Sequence, residues 1–227
     1  VPTSGTTDFT LDFTEIAEEA WERAGKEMRS GYQLRTARRS MNLLCIEWQN
    51  RGMNLWTVEE GTIPLLTGVS NYTLPADTLG LIEQQIRTDD GNAAKQTDLS
   101  ITRIGVHVYA SIPNKLTQGR PIQVYVDRQR DATEINIWPV PNSDIYTFAY
   151  WRMRRLQDAG SGAANPDMPY RFLPALVAGL AYYIAMKDPE LRAGAPMLQA
   201  EYEKQYDLAA QEDREKVPFR AVPRLRV

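Results

Sequence analysis

A chain of 227 residues and 25.8 kDa has room for one large domain or two small ones. Hydrophobic residues at 43% and 21 aromatic side chains exclude wholesale disorder, the single cysteine, Cys45, excludes an intrachain disulfide framework, and the single histidine, His107, excludes multi-histidine metal sites. A formal net charge of −3 argues against non-specific coating of nucleic acid and against attraction to anionic membranes.

The first ten residues lack a basic region followed by an apolar run, so no secretory signal is expected there. Residues 13–28 read as a first helix. Phe13, Ile16, Ala17, Ala20, Trp21, Ala24 and Met28 form one stripe at helical spacing, Glu15, Glu18, Glu19 and Glu22 lie on the opposite face, and Gly31 stands where a stop is expected. Residues 33–50 read as a second helix closed by Gly52. Leu34, Ala37, Met41, Leu44, Cys45 and Trp48 fall within an arc of roughly 100°, and Arg35, Arg38 and Arg39 flank that stripe.

Between residues 57 and 155 the pattern changes to short strands punctuated by turn residues. Candidate strands are 62–66, 71–74 and 79–88, the last followed by a hairpin turn at Asp89-Asp90-Gly91-Asn92. Residues 122–128, 134–138 and 145–153 read as a meander, with Pro139, Pro141 and Asn142 in its second turn. The final strand is apolar on both faces, Tyr146, Phe148 and Tyr150 alternating with Ile145, Ala149 and Trp151. Such a strand lies inside a sandwich or turns one face to a neighbouring subunit.

Gly160-Ser161-Gly162-Ala163-Ala164 reads as a linker, and helices resume after Pro166 or Pro169. Residues 170–187 are apolar nearly all round and are expected at the centre of the helical part, ending before Pro189. The longest apolar run, 176–186, spans about half a bilayer, so a membrane crossing is not expected. Residues 191–216 form a longer, more polar pattern with Leu198, Tyr202, Tyr206 and Ala209 at three- and four-residue steps. Residues 217–227 contain Pro218 and Pro223 and are expected to be extended.

The expected fold class is therefore α+β. Helical parts at 1–56 and 159–216 form one bundle, an antiparallel sandwich- or barrel-like β domain is inserted at 57–158, and an extended arm occupies 217–227. Charge is laid out in blocks: −5 over residues 1–28, +4 over 29–56, −2 over 57–158, −3 over 159–216 and +3 over 217–227. Alternating signs of this kind suit self-associating surfaces.

No grouping of residues reads as an active site. His107 sits in Val106-His107-Val108-Tyr109 without a serine elbow or signature cysteine nearby, and is expected to be structural. Cys45 lies on an apolar stripe and reads as a buried, inert thiol. Asp89-Asp90-Gly91-Asn92 lacks the remaining ligands of a calcium loop, and no Gly-rich phosphate cradle is present. No metal or cofactor is expected. Glu15, Glu18, Glu19 and Glu22 suggest a glycosidase-like carboxylate pair only weakly, because exposed carboxylates do not acquire the raised pKa of a general acid. Pairing of these glutamates with Arg35, Arg38 and Arg39, between helices or between subunits, is the favoured reading over DNA binding by the arginines. The segment 217–227 mixes Phe219, Val222, Leu225 and Val227 with Arg220, Arg224 and Arg226. That composition suits an arm that docks on a partner by pairing and pocket filling.

Ala37-Arg38-Arg39-Ser40-Met41-Asn42-Leu43-Leu44, Glu47-Trp48 and Arg51-Gly52-Met53-Asn54-Leu55-Trp56 together resemble the head-to-tail adaptor family of short-tailed bacteriophages, also called tail tubular protein A or tail accessory factor. Gly68 with Tyr72-Thr73-Leu74-Pro75, Ile112-Pro113, Gly119-Arg120-Pro121 and Trp138-Pro139-Val140-Pro141 extend the resemblance to the end of the β region. The resemblance implies a non-enzymatic virion protein at the head–tail interface, assembled in the host cytoplasm. It implies a ring of typically twelve copies under the portal, extending the DNA channel without sequence-specific DNA binding and carrying the tail nozzle. The arm residues Phe219, Arg220, Val222, Arg224, Leu225 and Arg226 become candidate portal contacts. In the family the segment 103–111 is often helical, whereas Gly105-Val106-His107-Val108 itself reads as strand-like. Two other readings stand beside this one: a peptidoglycan hydrolase using the glutamate face, and a DNA-binding assembly factor using Arg35, Arg38 and Arg39.

Overall fold

The computed structural model describes residues 5–7, 9–52, 55–160 and 163–214. The expected arm, 217–227, lies outside these residues, as do 215–216 of the last expected helix and Ser161 and Gly162 of the linker. In chain order the elements are α1 (Phe13–Ala24), α2 (Gly31–Arg51), β1 (Val58–Pro64), β2 (Asn71–Thr73), β3 (Thr78–Thr88), β4 (Thr97–Ser100) and β5 (Thr102–Ile104). They continue with α3 (Val106–Ser111), β6 (Gln118–Gly119), β7 (Gln123–Arg128), β8 (Thr133–Trp138), β9 (Val140–Pro141), β10 (Tyr146–Arg154), α4 (Leu173–Lys187) and α5 (Ala195–Glu212). The fold is α+β. It divides into a helical unit built from residues up to 56 and from 156 onward, and a β unit of residues 57–155.

In the helical unit, local chemistry sets the helix ends. Asp12 and Glu15 form a capping box at the start of α1, and Gly25, with φ of 99°, supplies the left-handed stop. Gly31 is therefore not the stop that its position suggests. A second capping box, Ser30 with Gln33, starts α2 at Gly31. α4 carries Pro174 in its first turn, where the missing N–H has no intrahelical partner to lose. Ten of its residues are buried, including Leu176, Leu180 and Ile184, as a helix that is apolar on all sides requires. α1, α2 and α5 pack around it, with Phe13, Ile16, Leu44, Trp48, Phe172 and Tyr202 in the shared core. Gly179 is what lets them approach, since a Cβ there would lie 2.9 Å from both Leu44 Cδ2 and Tyr202 Cε2.

The β unit is a sandwich. One sheet has the order β1-β10-β3-β4, all antiparallel; the other is β2-β8-β7-β5, with β5 parallel to β7. Between them lie Leu81 and Ile86 of β3, Val124 and Val126 of β7, Ile135 and Ile137 of β8, and Tyr146, Phe148 and Tyr150 of β10. The expected meander is half correct. β7 and β8 form a hairpin, but β10 crosses to the other sheet and becomes one of its central strands. On its second face Trp151 and, just before the strand, Ile145 are exposed. Thr147 and Ala149 are small and buried there, and Arg87 of β3 bridges above them, 3.0 Å from Asp98 of β4 and 3.6 Å from Glu60 of β1. Gly61, opposite Tyr150, receives the tyrosine ring: a Cβ would meet its Cζ at 2.5 Å.

Arg152 is buried at the far end of β10. It donates to Asp77 Oδ1 at 2.5 Å, Thr78 Oγ1 at 2.9 Å and Glu59 Oε2 at 2.9 Å, so the buried cation is fully partnered. The strand-like segment around Val108 is the short helix α3, and its residues Val106, His107 and Val108 are exposed. His107 is thus not a packed structural histidine.

Candidate functional site

The residues that carried the sequence resemblance in α2 form a polar clamp on one side of the helical unit. Trp48, fully buried, donates from Nε1 to Tyr202 Oη at 2.8 Å, and Tyr202 Oη donates to Glu47 Oε1 at 3.0 Å. Tyr183 of α4 donates to the other Glu47 oxygen at 2.6 Å. Arg51 donates to Glu47 at 2.9 Å and to both carboxylate oxygens of Glu203 at 2.7 Å, and its guanidinium lies 4.6 Å from the centroid of Tyr206. Burial raises the Tyr202 phenol well above its ordinary range; burial and the Glu47 carboxylate push Tyr183 up to about 12. The Arg51 bonds hold the Glu203 carboxyl below its usual range. Glu47, Trp48 and Arg51 of α2 are each hydrogen-bonded to Tyr183 of α4 or to Tyr202 or Glu203 of α5, so the cluster locks the three helices together.

Of the remaining resemblance residues, Gly68, Tyr72, Gly119 and Pro141 meet at one end of the β unit. Gly68, with φ of 80°, donates its N–H to the Pro141 carbonyl at 2.9 Å, and Tyr72 Oη accepts from the Leu66 N–H at 2.8 Å. Gly119 pairs with Pro141 through the short β6–β9 ladder, and Thr67 donates to Asp144. These contacts shape three adjoining loops, which leave Leu66, Leu116 and Ile145 exposed, Leu116 by 80%. Pairing at this end of the unit is nonlocal, so the cluster is not readable from any one segment.

The four glutamates do not simply oppose the apolar stripe. Glu15, Glu18, Glu19 and Glu22 line one wall of a cleft of about 420 Å³ whose floor is Leu11, Leu173, Pro174 and Val177. Glu15 is engaged in the α1 cap, and Glu19 pairs with Arg23 at 2.7 Å. An adjoining apolar cleft of about 430 Å³ shares Leu11, Leu173 and Pro174 and is bounded by Phe9 and Tyr170, whose ring centroids lie 5.7 Å apart. Sequence periodicity missed this surface because its floor comes from α4, about 155 residues away.

Arg35, Arg38 and Arg39 are exposed on α2. Arg38 reaches the Gly160 carbonyl at 3.4 Å and Arg39 the Thr36 hydroxyl at 3.3 Å; among the described residues none of the three is brought to the α1 glutamates. The same face of α2 exposes Tyr32, Leu43 and Ile46. Phe219, Arg220, Val222, Arg224, Leu225 and Arg226 lie outside the described residues.

Cys45 is buried, and desolvation pushes its thiol up to about 12, so it is neither exposed nor ionised. Among the described residues, no group of three or more His, Cys, Asp or Glu side chains is placed to hold a metal ion, and no helix is long and apolar enough to cross a membrane. The helical unit carries a hydrogen-bonded scaffold, an acidic cleft with an apolar floor and a basic helix face, and the β unit carries an apolar loop cluster. A search of curated proteins found no match. A family model described as SU10 adaptor protein matches residues 8–224, spanning both units.

Proposed function

The chain belongs to the SU10 adaptor protein family, a family of phage head-to-tail adaptors, and from that premise we propose that it assembles as a ring beneath the portal. An adaptor of this family is a virion component of the head–tail junction that interacts with portal and tail proteins. The finer reading is a closed ring, twelve copies in register with the portal, that extends the DNA channel and carries the tail nozzle. In it, Phe219, Arg220, Val222, Arg224, Leu225 and Arg226 contact the portal. The exposed loop cluster around Leu66, Leu116 and Ile145 faces the tail. Arg35, Arg38 and Arg39 of one copy meet acidic residues, Glu15, Glu18, Glu19 and Glu22 among them, on the next. The protein acts by shape and contact, without catalysis, and viral DNA passes through without sequence-specific binding.

The observation that carries this reading is the family match, which runs through both units and into the arm, to residue 224. The two surfaces of opposite charge on the helical unit support a heterologous contact, the kind that closes into a ring when the rotation between copies divides a full turn. The test is native mass measurement of the purified chain with and without its portal protein. A ring that forms on the portal, and that weakens when residues 217–227 are deleted, is the expected result. Absence of any complex with portal defeats the adaptor role; undiminished affinity after the deletion defeats the arm contact alone.

A further inference from the structure

We infer that, in the free chain, the acidic cleft between α1 and α4 is the docking site of the chain's own arm, residues 217–227. Three observations converge on this occupant. The first is where the described chain leads: Asp213, just past α5, is ion-paired to Arg171, two residues before Leu173 in the cleft floor. The nine residues from there to Val222 span up to roughly 30 Å when extended, whereas Leu173 to Val177 is one helical turn, about 6 Å. A chain continuing from Asp213 therefore has length enough to reach and cross the cleft.

The second observation is charge. Glu15, Glu18 and Glu22 have no cationic partner among the described residues, and the arm carries Arg220, Arg224 and Arg226 without an acid. The third is apolar spacing. Phe219, Val222 and Leu225 recur every three residues, and Pro218 and Pro223 favour polyproline II, which has three residues per turn. In that conformation the three apolar side chains share one side, suited to the floor of Leu173, Pro174 and Val177 and to the adjoining apolar cleft by Tyr170. Arg220 and Arg226 then share one of the two remaining sides, the one turned towards the glutamate wall, and Arg224 lies on the other. A segment held this way is covered until a competing partner draws it out, and the prolines lower the ordering cost in either site. The inference concerns the isolated chain and does not depend on the adaptor reading.

The test is intramolecular crosslinking in the full-length chain carrying Pro174→Cys and Val222→Cys. Position 174 is exposed at the cleft, and buried Cys45 does not compete. Under mild oxidation the monomer is expected to close a disulfide, and Arg220→Gln with Arg226→Gln is expected to slow closure about tenfold. Charge reversal on both sides, Glu18→Arg and Glu22→Arg with Arg220→Glu and Arg226→Glu, is expected to restore it. Closure at the same rate with and without the arginines means tether proximity alone and overturns the inference. A crosslinked dimer in place of the closed monomer overturns it too, assigning the cleft to the arm of a second copy.

Discussion

Tyr202→Phe is the sharpest probe of the helical scaffold, because it removes one oxygen and leaves the ring in place. That oxygen accepts from Trp48 Nε1 at 2.8 Å and donates to Glu47 at 3.0 Å. Trp48 is fully buried, so its N–H loses its partner with no water to replace it, at a cost of about 1–3 kcal/mol. Glu47 keeps Tyr183 and Arg51, and its side chain is 29% exposed, so the second loss is discounted to about 0.5–1 kcal/mol. The sum is about 3 kcal/mol, which for a chain of this length lowers Tm by roughly 6–12 °C. Thermal and urea unfolding followed by circular dichroism measure it, and a double-mutant cycle with Trp48→Phe isolates the bond. A loss below about 0.5 kcal/mol, or strict additivity with Trp48→Phe, would refute the claim that the clamp ties α2 to α5.

Gly179→Ala is expected to destabilise the helical unit by about 1–2 kcal/mol in urea titration, because overpacking against a hydrogen-bonded Tyr202 ring outweighs the gain in helix propensity; equal or higher stability counts against the close α4–α5 packing. Gly61→Ala is expected to lower the midpoint of the β unit, since the new methyl displaces the Tyr150 ring from the sandwich core, and an unchanged near-ultraviolet dichroism spectrum would contradict this. Asp77 is held below its ordinary value of 3.8 by its bonds to Arg152, so its stabilising contribution is fully present above that pH and is lost as pH falls through the lower folded value. Asp77→Asn is accordingly expected to flatten the acid limb of the β unit's stability profile below about pH 4, and an identical acid limb in the variant would disprove the linkage. Cys45 is expected to resist alkylation at neutral pH in the native chain and to react once urea unfolds the helical unit; fast native labelling contradicts its burial.

The α+β class and the individual helices were legible in the sequence, because a helix writes its buried face locally. Phe13, Ile16, Ala17, Ala20 and Trp21 repeat at a spacing that only one conformation turns to a common side, and all five are buried. Local rules failed where two signals compete. Gly25 and Gly31 both resemble stops, and only the capping box of Ser30 with Gln33 makes the second a beginning. In α3 the strand preference of Val106 and Val108 loses, with no buried residue to enforce either state from within.

Candidate surfaces were legible only as composition. The glutamates of α1 and the arginines of α2 were visible as charge, but the sequence had no means of supplying the floor of Leu173, Pro174 and Val177 that turns the glutamates into a cleft. By itself, the sequence determined periodicity, capping and the placement of charge along the chain, since each depends on neighbours within about four residues. Tertiary structure decided what lies beyond that reach: β10 leaving the meander for the other sheet, Arg87 bridging it between Glu60 and Asp98, and Glu47 and Trp48 finding Tyr183 and Tyr202 more than 130 residues away. Those pairings form only when distant segments share one buried environment, and no local preference encodes which of many tyrosines or strands will be there.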